Sequence, residues 1–165
     1  MSGTARLVLR ARSLDDTHAV AAAVAALSCE GDVIVLAGEM GSGKTAFAQG
    51  FGRALGVTEP ITSPTFTLVH TYDTGGVTLH HADLYRLEQL SEVADLALAE
   101  LAEFHGVVLI EWGDVVASTL GDHLCVELEP VFGEVAERTL TVAATGSSWA
   151  WRWEALDLAT QPWAA

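Results

Sequence analysis

Eight consecutive residues, Gly38-Glu-Met-Gly-Ser-Gly-Lys-Thr45, combine the residue types that grip a phosphate. Gly41 and Gly43 permit backbone angles closed to residues with a side chain, so successive N–H groups can turn inward around an anion. Lys44 offers an ammonium to β- and γ-phosphates, and the Thr45 hydroxyl offers a Mg²⁺ ligand. A helix opening near Lys44 would aim its unpaired amides and positive dipole end at the same place. The spacing G-x-x-x-x-G-K-[ST] therefore predicts a triphosphate cradle made of Glu39, Met40, Gly41, Ser42, Gly43, Lys44, Thr45 and Ala46. The bland alternative, a glycine-rich turn with an incidental lysine, does not account for the buried strand before it and the helix after it.

Such a loop needs a metal-holding carboxylate at the end of a neighbouring strand. Glu111 closes Val107-Val-Leu-Ile-Glu-Trp112, four apolar residues and then an acid, the form of a Walker B strand. Asp83 closes a β-rich run in His81-Ala-Asp-Leu-Tyr-Arg86, where composition alone does not separate a functional carboxylate from a solvated one. Asp73-Thr-Gly-Gly76 matches the D-x-x-G of GTPases, but it lies between two alternating β runs, where a hairpin turn explains it. No Asn-Lys-x-Asp is present to read guanine, so ATP is the expected nucleotide. His70, His80 and His81 do not make a zinc site, because adjacent strand residues face opposite ways and no cysteine is close in sequence. The alternation Trp149-Ala-Trp-Arg-Trp153 would place three indoles on one side of an extended segment, more in keeping with sheet covering than with partner docking.

The elements that must position these groups follow an α/β order. Leu7, Val8 and Leu9 suggest a first strand. Ser13 caps an alanine-rich helix to about Leu27, with Asp16 three residues on. Residues 32–37 read as a strand buried on both faces, and residues 44–55 as a helix stopped by Gly56. Residues 65–72 and 77–83 form a hairpin. A helical stretch that Ser91 could cap precedes the strand at 107–110. Residues 123–129 and 138–143 make a second antiparallel pair around Gly133. The expected architecture is a P-loop NTPase fold: a mixed, mainly parallel sheet flanked by helices, with an antiparallel hairpin. It forms one domain over residues 1–165, with a motif core at about 32–112 and a small β-rich C-terminal extension at about 122–165.

Composition narrows the partners. The chain has 165 residues, 8 Lys+Arg against 22 Asp+Glu, and a net charge of −14, so unaided binding to RNA or DNA is not expected. An acidic surface suits solubility or a basic protein partner. Two cysteines, Cys29 and Cys125, read as buried thiols in a reducing cytosol, with one disulfide as the alternative. The most apolar run, residues 19–27, is too short to span a membrane, so a cytoplasmic location is expected.

Four segments in order now carry a resemblance: Gly38-Glu-Met-Gly-Ser-Gly-Lys-Thr45, Ser63-Pro-Thr-Phe-Thr-Leu-Val69, His81-Ala-Asp-Leu-Tyr-Arg-Leu87 and Leu109-Ile-Glu-Trp112. Together they resemble the bacterial TsaE (YjeE) family of small P-loop ATPases, which serve the threonylcarbamoyl modification of the adenosine beside the tRNA anticodon. The resemblance implies ATP and Mg²⁺ as cofactors, with Thr45 and Glu111 at the metal and Asp83 orienting the attacking water, although the roles of the two acids could be reversed. It places Ser63 and Thr65 in a switch-like loop stiffened by Pro64. Lys44, Thr65, Asp83 and Glu111 are then the catalytic set. Arg86 is the nearest cation for the transferring phosphate, with a structural ion pair as the equal alternative. Trp112 packs by the nucleotide or in the core. The implied partners are TsaD and TsaB, with tRNA reached only through that complex, and with neither DNA nor membrane involved. The alternatives from other classes are a P-loop kinase for a small molecule, which would need an arginine-bearing lid, and a non-hydrolysing assembly factor.

Overall fold

The computed structural model describes residues 5–62, 69–83, 106–111 and 121–165. Ser63, Thr65, Arg86, Ser91 and Trp112 lie outside the described residues. Among the described residues seven strands form one sheet: β1 (Arg6–Ala11), β2 (Val33–Ala37), β3 (Val69–Tyr72), β4 (Thr78–Asp83), β5 (Gly106–Glu111), β6 (His123–Pro130) and β7 (Arg138–Thr145). Their order is β1-β7-β6-β2-β5-β4-β3. The pairs β2–β5, β2–β6 and β4–β5 are parallel, and β1–β7, β6–β7 and β3–β4 are antiparallel. Every residue of β2 and β5 is buried, as expected of central parallel strands covered on both faces.

Helix α1 (Leu14–Leu27) begins where Ser13 Oγ accepts the Asp16 N–H at 3.1 Å and Asp16 Oδ2 accepts the Arg12 N–H at 2.9 Å. Its buried residues Thr17, Val20, Ala21, Val24 and Ala25 fall at helical spacing and make one apolar stripe. Helix α2 (Lys44–Leu55) lies against α1. The two approach closely at Gly50, where a Cβ would lie 2.7 Å from His18 Cα. Gly56 ends α2 at φ +110°, its N–H reaching the carbonyls of Gly52 and Arg53. The hairpin turn between β3 and β4 then packs on this far end of α2, with Thr74 O 2.9 Å from where a Gly56 Cβ would be. Asp73 Oδ1 accepts the Gly75 N–H at 2.9 Å, so Asp73-Thr-Gly-Gly76 is a turn at the opposite end of the sheet from the glycine-rich loop.

Several expectations change. The C-terminal strand pair is no appendage: β6 lies directly beside β2, and β7 connects it to β1. The remainder of the expected β-rich extension is helical, with a 3-10 turn at Ala150–Arg152, helix α3 (Trp153–Ala159) and a second 3-10 turn at Gln161–Trp163. Residues 149–153 are therefore not extended, and the two-residue alternation does not set their faces. Trp149 is buried, Trp151 is exposed, and Trp153 packs partly buried against the core. The cause is a contact remote in sequence. The Arg152 guanidinium stacks 3.9 Å from the Trp149 ring and forks onto the Asp32 carboxylate, both bonds being 2.7 Å. The two cysteines are not joined in a disulfide; Cys29 is exposed, contrary to expectation, and Cys125 is half-buried.

Candidate functional site

Parallel strands β2, β4 and β5 all end on one edge of the sheet, and their last residues bring the candidate groups together. In register, Leu36 of β2 and Asp83 of β4 both stand opposite Glu111 of β5. Neighbouring strands are about 4.8 Å apart, so the two acids are side by side at the sheet edge where α/β proteins place ligands. The glycine-rich loop leaves β2 at the same edge.

The loop is tightly built. Gly38, Gly41 and Gly43 have φ of +140°, +80° and +106°, the left-handed region that favours glycine. At Gly38 space is also closed, since a Cβ would lie 2.5 Å from both Leu128 O and Ser42 Oγ. The Ser42 N–H donates to Glu39 O at 3.0 Å, and the Phe47 N–H donates to Gly43 O at 2.9 Å. Gly43 occupies the cap position of α2 without a side chain to satisfy the helix's first amides. Lys44 is buried, its Nζ donating to Gly38 O at 2.6 Å and Glu39 O at 2.9 Å. Met40 is exposed at the loop's tip, and Thr45 and Ala46 are half-buried in the first turn of α2.

Glu111 is only 2 % exposed. Its Oε1 accepts the Thr45 hydroxyl at 3.4 Å, and its Oε2 lies 2.6 Å from His81 Nε2. With the proton on Nε2, the fully buried His81 donates to the carboxylate and fixes its orientation. His81 and Asp83, two apart on β4, share a face of the sheet. The neighbouring His80 faces the other way and meets Thr71 Oγ1 through Nδ1 at 3.0 Å. Burial lowers the His80 pKa below the usual imidazole value. Among the described residues no three carboxylate, imidazole or thiol groups cluster as metal ligands.

The fit of this arrangement to a nucleotide and its metal can be judged from the residues themselves. The Ser42 hydroxyl is fully buried and has no hydrogen-bond partner among the described residues, an orphan that an anionic oxygen would satisfy. Thr45 and Glu111 offer one hydroxyl and one carboxylate side by side, a donor set suited to Mg²⁺, which keeps several waters and takes few protein ligands. On the β6 side of the loop lies an open cleft of about 420 Å³, lined by Gly38, Glu39, Glu127, Leu128, Glu129 and Pro130. That volume is in the range of small-molecule sites.

Two residues of the site are missing from the sequence-based set. His81 enters that set only as a rejected zinc ligand; its place two residues before Asp83 was the available signal. Arg138, at the start of β7, donates through Nε to Ser42 O at 2.8 Å and through Nη2 to Gly41 O at 3.3 Å. Nothing in the sequence near Arg138 points to the loop 96 residues earlier.

Comparison with known proteins gives the family. The family model described as "Threonylcarbamoyl adenosine biosynthesis protein TsaE" matches residues 11–139. A tRNA threonylcarbamoyladenosine biosynthesis protein TsaE from Bacillus subtilis is 38% identical over 135 residues, covering 81% of this chain and 82% of its own length. The protein of the same name from Treponema pallidum is 45% identical over 112 residues, covering 68% of this chain and 82% of its own. Among solved structures, the crystal structure of Bacillus subtilis YdiB superposes with a TM-score of 0.79 at 30% identity, covering 96% of this chain and 98% of that one.

Proposed function

We propose, from the premise that this chain belongs to the TsaE family of tRNA threonylcarbamoyladenosine biosynthesis proteins, that it is a Mg²⁺-dependent ATPase serving that modification. The observation that carries the reading is the Thr45–Glu111 contact directly behind the glycine-rich loop, with Lys44 buried in the loop. When bound, Mg²⁺ would neutralise phosphate charge and help polarise the bond that breaks. The chain's own residues do the rest. Lys44 exchanges two main-chain carbonyls for anionic oxygens and so gains charge-assisted hydrogen bonds. The Gly43 and Lys44 amides, at the head of α2, point their dipoles at the same anion. Thr45 and Glu111 hold the metal, and His81 keeps Glu111 from rotating away. Asp83, at the same strand edge, orients the attacking water, and Thr65 senses the γ-phosphate.

ATP is favoured over GTP because the chain has no Asn-Lys-x-Asp to read guanine. Glu39, Glu127 and Glu129 line the cleft beside the loop, and carboxylates accept hydrogen bonds. They suit ribose hydroxyls and the exocyclic amine of a base. Such an acidic protein would reach tRNA through a complex with TsaD and TsaB, in the cytoplasm, and without gripping nucleic acid itself. No helix among the described residues is long and apolar enough to cross a membrane.

Calorimetric titration with ATP and GTP, each with Mg²⁺, tests the reading alongside γ-labelled ATP turnover in the presence of TsaD and TsaB. ATP binding that Lys44→Ala abolishes, and release of free labelled phosphate that Glu111→Ala abolishes, are expected. Label appearing in a small metabolite would establish a kinase instead. Failure of the unaltered chain to bind ATP would overturn the proposal.

A further inference from the structure

We infer that Arg138 is a positioning residue for the phosphate loop, holding its carbonyls outward so that its amides face the anion. The inference rests on reading residues 38–45 as a phosphate cradle. All four acceptors of the Arg138 guanidinium are main-chain carbonyls. Nε and Nη2 take Ser42 O and Gly41 O in the loop, at 2.8 and 3.3 Å. Nη1 takes Val135 O and Glu137 O in the β6–β7 turn, at 3.0 and 2.8 Å. A trans peptide group is planar, with its C=O and the following N–H pointing in opposite directions. Pinning Ser42 O to Arg138 therefore turns the Gly43 N–H to the other side of the loop, toward the cap of α2. Pinning Gly41 O fixes the Ser42 N–H in the same way, and that amide closes the turn onto Glu39 O.

The surroundings keep the guanidinium on this task. Arg138 stands opposite Pro130 in the β6–β7 ladder, at the strand end nearest the loop. The neighbouring Glu137 carboxylate is held by Arg10, at 3.0 Å from Nε and 2.7 Å from Nη2, and so is drawn away from Arg138. Gly43 lies beneath the guanidinium, where a Cβ would sit 3.5 Å from Arg138 Nε. Loop glycines supply the freedom to adopt a cradle, and Arg138 selects one member of that ensemble. A planar fork with donors on both sides spans loop and turn at once, which a lysine's single ammonium cannot do.

The test compares unaltered, Arg138→Ala and Arg138→Lys chains by calorimetry with ATP·Mg²⁺ and ADP·Mg²⁺, and by amide hydrogen exchange without nucleotide. Arg138→Ala is expected to weaken both nucleotides by about tenfold, the equivalent of one charged hydrogen bond, and to speed exchange at Ser42 and Phe47, whose amides are bonded to Glu39 O and Gly43 O. Arg138→Lys is expected to recover only part of the affinity and little of the exchange protection. Full recovery by lysine would overturn the inference by showing that charge alone matters. So would unchanged affinity and exchange in Arg138→Ala. Should the alanine chain not fold, the lysine chain decides the question by the same two measurements. Absence of ATP binding in the unaltered chain would sink the ATPase proposal, whereas the exchange comparison would still decide the role of Arg138.

Discussion

Replacing Arg152 by alanine should destabilise the protein more than any ordinary surface change, and the structure gives the size. Arg152 is 4 % and Asp32 6 % exposed, with two guanidinium–carboxylate bonds of 2.7 Å between them. Arg152 Nη1 also donates to Leu27 O at 2.7 Å, and Asp32 Oδ2 also accepts the Cys29 N–H at 2.7 Å. Removing the arginine leaves a buried carboxylate with one amide donor in place of a fork, and breaking such a pair typically costs about 3–5 kcal/mol. For a domain of this size that lowers Tm by roughly 6–20 °C. Adding Asp32→Asn to Arg152→Ala should restore part of the loss, because the stranded charge is then gone, leaving a coupling energy of about 2 kcal/mol. Urea unfolding of the four chains of this double-mutant cycle measures it. Asp32 precedes β2 at the end away from the loop, roughly 17 Å along the strand, so ATP affinity measured well below Tm should not move. An unfolding midpoint for Arg152→Ala equal to that of the unaltered chain, or strict additivity in the cycle, would refute the reasoning.

Gly50→Ala should cost about 1–3 kcal/mol, because its Cβ would press on the backbone of α1 at His18, 2.7 Å from Cα, and the two helices must part; thermal unfolding reads this directly. Burial holds the His80 pKa below its usual value of about 6.5, so on acidification the unfolded chain takes up that proton first. The stability His80 contributes is therefore complete above the unfolded pKa, falls as pH drops toward the folded pKa, and levels off below it. In His80→Gln this part of the stability–pH profile should be flattened, and urea midpoints between about pH 8 and 5 that track those of the unaltered chain would contradict the assignment.

What the sequence made legible was local. Ser13 and Asp16 marked the start of α1, Gly56 marked the end of α2, and Asp73-Thr-Gly-Gly76 marked a turn, each through chemistry confined to a few neighbouring residues. The glycine-rich loop after β2 and the place of Glu111 at the end of β5 were readable for the same reason: a short run of types has a fixed relation to a strand end. The insertion of β6 beside β2 was not readable, because β6 carries the same alternation whether it joins the main sheet or a separate pair. Nor was the helical state of residues 150–159, where three tryptophans at alternate positions imitate a strand. Arg138 and Arg152 find their partners 96 and 120 residues away, and no local pattern announces a contact of that span. Thr65 and Arg86 fall outside the described residues, and only the expected role of Thr65 stands as part of the proposal.

Residues 164 and 165 do something for the sheet as a whole. Leu9 of β1 forms an antiparallel bridge with Ala164, and the Ala165 N–H donates to Val8 O at 3.1 Å. Strand β1 is the outermost on its side, and a bare outer strand is a template on which another chain can add itself. Capping that rim with two residues of the same chain withdraws the hydrogen-bonding groups of its middle from any newcomer. Trimming the tail back past Pro162 would hand those groups to solvent and favour edge-to-edge self-association, a hazard for the protein's solubility quite separate from its chemistry.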